Sequence, residues 1–138
     1  SKIKRQKETD EDKILTELLY IKQRINASSS ILTDKEKTAF FFVIVPEEMI
    51  ILDTAKAAEL FSKFDVPTAG YIVNRVLPPE LRQQQVPAYL QNRLAMQAKY
   101  IDKINETFGN QVLAQVPEME RDVTGLAMIQ KLAKIMYA

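Results

Sequence analysis

In the stretch "GYIVNRVLPP", residues 70–79, an apolar run ends in Asn74 and Arg75 and then breaks at two prolines. An asparagine side chain carries a donor and an acceptor together, a match for the edge of an adenine ring. Asparagine is equally at home where strands become turns, bonding to loop backbone. Two other apolar runs end in polar features, the first in Pro46-Glu47-Glu48 and the last in Pro117-Glu118. Glu47 and Glu48 suit the positive end of a helix dipole as well as they suit a ligand. Pro117 is either a simple strand stop or a flat apolar wall beside a ring. Spacing alone leaves each pair of readings open.

What the rest of the chain lacks narrows the chemistry. Among 138 residues there is no cysteine and no histidine. Disulfides, thiol nucleophiles, the common zinc sites and imidazole bases are therefore excluded from this chain. Carboxylates remain available as bases or as magnesium ligands. Only three glycines occur, Gly70, Gly109 and Gly125, so a GxxxxGK[ST] phosphate cradle is impossible here. The net charge of +1 gives no general attraction to nucleic acid or anionic membrane. Arg93, Lys99 and Lys103 are interrupted by Asp102 and Glu106, which suits a solvated flank, and no nucleic-acid partner is expected. No apolar run approaches the ~20 residues needed to span a bilayer.

The elements that must position these residues follow from periodicity. Residues 1–13 place Lys2, Lys4, Arg5 and Lys7 ahead of Glu8, Asp10, Glu11 and Asp12, a polar start too hydrophilic for a core. Thr9 is a candidate cap for a helix carrying Ile14, Leu18, Ile21 and Ile25 at helical spacing, fading near "NASSS" at 26–30. The pattern then alternates. Residues 38–45 read as a strand buried on both faces, and Pro46 as the first position of a helix reaching about Lys63. A strand follows at 70–76, then a loop "LPPELRQQQVP" and a long helix to about Phe108, closed by Gly109-Asn110. Gln111–Val116 reads as a third strand broken by Pro117, and a last helix spans 124–137 with Thr124 or Asp122 as cap. In the long helix Gln97 falls on an apolar face, where the plain expectation is a bond to neighbouring backbone.

The order α-β-α-β-α-β-α predicts an α/β fold, a partial three-layer arrangement in which a three-stranded parallel sheet is flanked by helices and preceded by an amphipathic helix. In such sheets ligands bind beyond the carboxyl ends of the strands, which places all three polar features on one rim. Three strands make a narrow sheet, so further strands or self-association are expected at an edge.

Together, "TAFFFVIVPEEMIILDTAKAAELFSKFDVPTAGYIVNRVLP", "RLAMQAKYIDKI" and "VPEMERDVTGLAMIQKLAKIMY" resemble the C-terminal portion of the arsenical pump-driving ATPases. That family includes the ATPases that guide tail-anchored membrane proteins. The resemblance covers residues 38–137, and residues 1–37 resemble, more loosely, the end of a helical subdomain. It implies the C-terminal part of a deviant P-loop NTPase fold of the dimeric, SIMIBI-like class. The phosphate loop, catalytic Asp and switch segments of that family match nothing in this chain. Asn74 matches a residue that contacts adenine, Glu47 one that contacts nucleotide across a dimer interface, and Pro117 and Glu118 fall in the loop beside the base. Departures are visible. A zinc-binding Cys-x-x-Cys pair is replaced by Pro87 and Leu90, and the usual Arg of "ET-x-R" is Lys56 in "DTAK". Thr124 stands where Arg is frequent.

The resemblance implies a cytoplasmic, homodimeric, magnesium-dependent ATPase acting on an arsenite efflux pump or on membrane-protein cargo. This chain would be its C-terminal segment, partnered by the N-terminal P-loop half of the same protein. The segment alone is expected to hold no catalytic or metal-binding residue, to bind no cofactor and to hydrolyse no ATP. Two other readings stand beside this one: a protein-binding module that grips a partner helix with residues 9–29, and a small flavodoxin-like ligand-binding domain.

Overall fold

A computed structural model describes residues 2–137, with side chains from Asp12 onward. The chain divides into two compact units, Ser1–Thr38 and Ala39–Ala138.

The first unit is helix α1, Lys2–Leu32. It starts earlier and ends later than periodicity suggests. Thr9, expected as a cap, lies inside the helical backbone, and its side chain is outside the described residues, as are those of Glu8, Asp10 and Glu11. The serines at 28–30 do not end the helix, and hydroxyls near its end bond back to carbonyls of the preceding turn. Ser30 Oγ donates to Ala27 O (2.8 Å) and Thr33 Oγ1 to Ser29 O (2.9 Å). Ile14, Leu18, Ile21 and Ile25 form the expected stripe and are exposed. Beyond α1, Asp34 organises the turn. Its Oδ1 accepts from Glu36 N–H at 2.9 Å and its Oδ2 pairs with Lys37 Nζ at 2.8 Å. The Lys37 bond and then the Glu36 amide hold the Asp34 carboxyl below its ordinary pKa.

The second unit is the α/β body. Strand β1 (Phe40–Ile44), helix α2 (Glu48–Lys63), strand β2 (Thr68–Val76), helix α3 (Ala88–Phe108), strand β3 (Val112–Pro117) and helix α4 (Gly125–Met136) follow in that order. The three strands form a parallel sheet in the order β1-β2-β3. The expected loop after β2 contains a short 3-10 turn, Pro79–Gln83. Pro46 is not the first helical residue. Glu47 N–H donates to Val45 O at 2.8 Å, closing a tight turn around Pro46, and α2 begins at Glu48 with Glu47 as its N-cap. Pro117 is the last residue of β3, paired with Val76, and its missing N–H is tolerated at an edge. Thr124 is the N-cap of α4, without a side-chain bond.

One face of the sheet meets α2 and α3. Ile44, Val73 and Tyr71 pack with Ile51 of α2 and with Ile104 and Phe108 of α3. Burial of each such side chain contributes on the order of 1.5–3 kcal/mol. An aromatic stack runs through this layer, with Phe42 and Tyr71 centroids 5.6 Å apart and Tyr71 and Phe108 4.1 Å apart. On the opposite face Phe41, Val43 and Leu113 are exposed. Gly70 lies under Leu113: a Cβ there would meet Leu113 Cδ1 at 2.6 Å and Gln111 O at 2.9 Å. Helix α2 ends in a Schellman arrangement, with Val66 N–H bonded to Phe61 O (2.9 Å) and Asp65 N–H to Ser62 O (3.2 Å). Asp65 occupies the left-handed position at φ 56°.

Candidate functional site

The end of β2 is irregular. Val73 pairs with Gln115 and Val76 with Pro117, so β2 advances three residues while β3 advances two. The extra residue is a bulge, a device that re-aims side chains at the end of a ladder. It lets Val73 and Val76 both enter the core while Arg75, between them, faces solvent. Unbulged alternation would have turned Arg75 inward. Arg75 makes the bend by taking φ 58°, a left-handed conformation uncommon outside glycine.

Three sets of bonds hold this bend. Asn74 Oδ1 accepts from Arg75 N–H at 2.9 Å. Arg75 Nε donates to Glu118 Oε2 at 2.8 Å, and Glu118 N–H donates to Val76 O at 2.8 Å. From α3, Gln97 Oε1 accepts from Leu77 N–H at 2.7 Å while its Nε2 donates to Arg75 O at 3.0 Å. The bond to Glu118 and then its charge hold the Arg75 guanidinium protonated more firmly than usual, with burial opposing them and the charge of Glu47 adding the least.

Pro117 and Glu118 are thus joined to Val76 and Arg75 at the carboxyl ends of β2 and β3. Asn74 stands one residue before Arg75 on the same rim, outside the walls of both clefts that open there. Glu47 lies three residues beyond Ile44, which pairs with Val73, and so belongs to the same rim. Two clefts open there. One, of about 350 Å³, is walled by Pro46, Glu47, Arg93, Met96, Gln97 and Tyr100. The other, of about 580 Å³, is walled by Pro78, Pro79, Pro117, Glu118, Met119 and Met128. Its prolines and methionines offer apolar surface for a flat ring, and Glu80, Glu120, Arg121 and Lys131 line it as well. Lys103, placed on a solvated flank by pattern, pairs with Glu48 at 3.1 Å, and Arg93 walls the first cleft.

Asn74 is oriented by its neighbour. With one lone pair of Oδ1 engaged, the amide NH2 and the second Oδ1 lone pair are left, a donor–acceptor edge of the kind that matches adenine N7 and N6. Among the described residues no three His, Cys, Asp or Glu side chains converge as metal ligands, and no helix is long and apolar enough to cross a membrane.

Sequence reasoning assigned no role to Arg75 and read Gln97 only as a backbone-bonding side chain. The signal for both was the placement of a polar residue within an apolar run. The partner elements were what pattern could not supply.

The family model described as anion-transporting ATPase matches residues 1–138. Over 115 residues, 83% of this chain and 29% of the relative, the chain is 32% identical to a putative arsenical pump-driving ATPase 1 of Aquifex aeolicus. It is 26% identical to ATPase GET3A of Arabidopsis thaliana over 89% of this chain and 34% of that protein. To ATPase GET3 of Candida glabrata it is 24% identical, over 85% of this chain and 33% of that protein. The chain therefore spans about a third of the length of these curated relatives.

Proposed function

The chain belongs to the anion-transporting ATPase family, and from that premise we propose that it supplies the adenine-side half of an ATP site. Asn74 donates from its amide to the base. Pro117 and Glu118 support the ring from the adjoining loop, and Glu47 meets nucleotide across the interface of a homodimer. Residues 1–37 are the end of a helical subdomain, and 38–138 are the C-terminal α/β part of the ATPase domain.

The observation carrying this reading is the bulge at Asn74-Arg75, which ties the end of β2 to Pro117 and Glu118 through Val76 and Arg75, with the Asn74 amide held by Arg75 N–H. The three prolines and two methionines in the wall of the larger cleft fit a purine face, and an amide edge on the same rim fits its ring nitrogens. ATP hydrolysis itself would use Mg2+ and a phosphate loop contributed by the N-terminal P-loop half of the same protein. The chain's own residues bind and orient the base, and the reaction at the γ-phosphate belongs to the other half. The whole protein would be cytoplasmic, coupling ATP hydrolysis to an arsenite efflux pump or to membrane-protein cargo.

The test is ATP binding to the full-length protein carrying Asn74→Ala. Loss of one neutral hydrogen bond of about 1 kcal/mol weakens affinity about five-fold. Unchanged affinity in a folded variant would overturn the reading.

A further inference from the structure

Two side chains at the bend of β2 are left without a part in this reading, Arg75 and Gln97. Gln97 sits on the face of α3 that carries Leu94, Ile101 and Ile104, where an apolar residue is the default. It is half-buried, and its amide bonds to backbone groups on either side of Val76: Arg75 O at 3.0 Å and Leu77 N–H at 2.7 Å. A bulge removes backbone groups from the ladder, and an unpaired backbone group away from water is costly. The Gln97 amide, using one N–H and its oxygen, takes the place of the missing strand neighbour. On the solvent side the Arg75 guanidinium, 63% exposed, ties the same bend to Glu118. The bend is thus held from the helix and from the adjoining loop. Its left-handed residue lies next to Asn74, so any relaxation of residue 75 rotates the Asn74 amide.

We propose that Gln97 and Arg75 are positioning residues, a two-sided brace that fixes the Asn74 amide and so sets the affinity and the base preference of the nucleotide site. This rests on the adenine-side role of Asn74. Neither side chain touches the base. Gln97 acts through the backbone of residues 75–77, and Arg75 through Glu118 and through the N–H it donates to Asn74 Oδ1. The amide NH2 can donate to N7 of either purine, but the second lone pair of Oδ1 accepts from adenine N6–H and would face the O6 acceptor of guanine, so a fixed amide discriminates between them better than one free to turn.

The test measures ATP and GTP affinity and steady-state hydrolysis in the full-length protein with Gln97→Met, Arg75→Gln and Asn74→Ala, each beside the wild type. Gln97→Met keeps side-chain length and removes both bonds. The expected result is a three- to ten-fold rise in KM for ATP with kcat unchanged, and at least a three-fold fall in preference for ATP over GTP. Arg75→Gln is expected to act in the same direction by a smaller factor. A lowered melting temperature with unchanged affinity and base preference would show a merely structural role and overturn the brace. If Gln97→Met does not fold, the exposed Arg75→Gln decides by the same criterion. Should Asn74→Ala leave ATP affinity unchanged, the adenine-side reading falls and the brace falls with it. A loss in Asn74→Ala with none in the other two removes the brace alone.

Discussion

Arg75 Nε and Glu118 Oε2 lie 2.8 Å apart although 43 residues separate them in the chain. Both side chains are substantially solvated, at 63% and 40% exposure, so water screens their attraction. The pair contributes position more than stability. Glu118→Gln is expected to lower the unfolding free energy by no more than about 1 kcal/mol in urea denaturation. A loss of about 3 kcal/mol or more would mean that the pair behaves as a buried one.

The backbone of Arg75 makes a separate demand. Its φ of 58° is tolerated by a flexible unbranched side chain and opposed by a β-branched one. Arg75→Val is expected to cost roughly 1–3 kcal/mol. Arg75→Gly should stay within about 1 kcal/mol of wild type, since relief at the left-handed position offsets the lost ion pair and added chain entropy. Equal stability of the Val and Gly variants would contradict the conformation.

At Gly70 the constraint is space. A methyl group there would sit 2.6 Å from Leu113 Cδ1 and 2.9 Å from the Gln111 carbonyl oxygen. Leu113 can swing away, but the carbonyl belongs to the backbone leading into β3. Gly70→Ala is expected to destabilise by about 1–3 kcal/mol, read by thermal or chemical unfolding.

Asp65 offers the opposite outcome. It holds the left-handed residue of the Schellman cap that closes α2, a position glycine and asparagine fill at lower cost. Asp65→Asn is expected to raise stability by roughly 0.5 kcal/mol. A fall in melting temperature would point to a side-chain role for the carboxylate.

Tyr71 gives the fold a pH dependence. Burial pushes its hydroxyl above the ordinary value of 10.0, the ring being stacked between Phe42 and Phe108. Below pH 10 the phenol is neutral in folded and unfolded chains alike, and the term is fully present. As pH rises from about 10 through the folded value, only the unfolded chain ionises freely, so stability falls. Tyr71→Phe keeps the stack and should flatten this alkaline loss. An unchanged slope of unfolding free energy between about pH 9 and pH 11 would contradict it.

The alternation of apolar runs with amphipathic segments made the α/β order legible, because burial on a sheet face or a helix stripe leaves a period in the sequence. The strand-end residues Asn74, Glu47, Pro117 and Glu118 could be placed on one rim for the same reason. What stayed hidden depends on partners. Whether the serines at 28–30 end a helix is not decided by their type alone, and here the hydroxyls of Ser30 and Thr33 reach back to carbonyls within it. The bulge at Asn74-Arg75 is a mismatch between two strands, which one strand's pattern cannot display. Gln97 was conspicuous on its helix, yet its partners, Arg75 O and Leu77 N–H, lie 20 or more residues upstream.

The extra residue in β2 also acts as a length marker. Removing one position between Val73 and Val76 would restore straight pairing with β3, but it would leave only one residue where both Asn74 and Arg75 now stand. An alignment gap opened here would put Asn74 out of phase with its counterpart, so relatives are best compared by fixing Val73 and Val76 first. For the same reason, engineered versions of this segment should tolerate substitution at the bend far better than insertion or deletion.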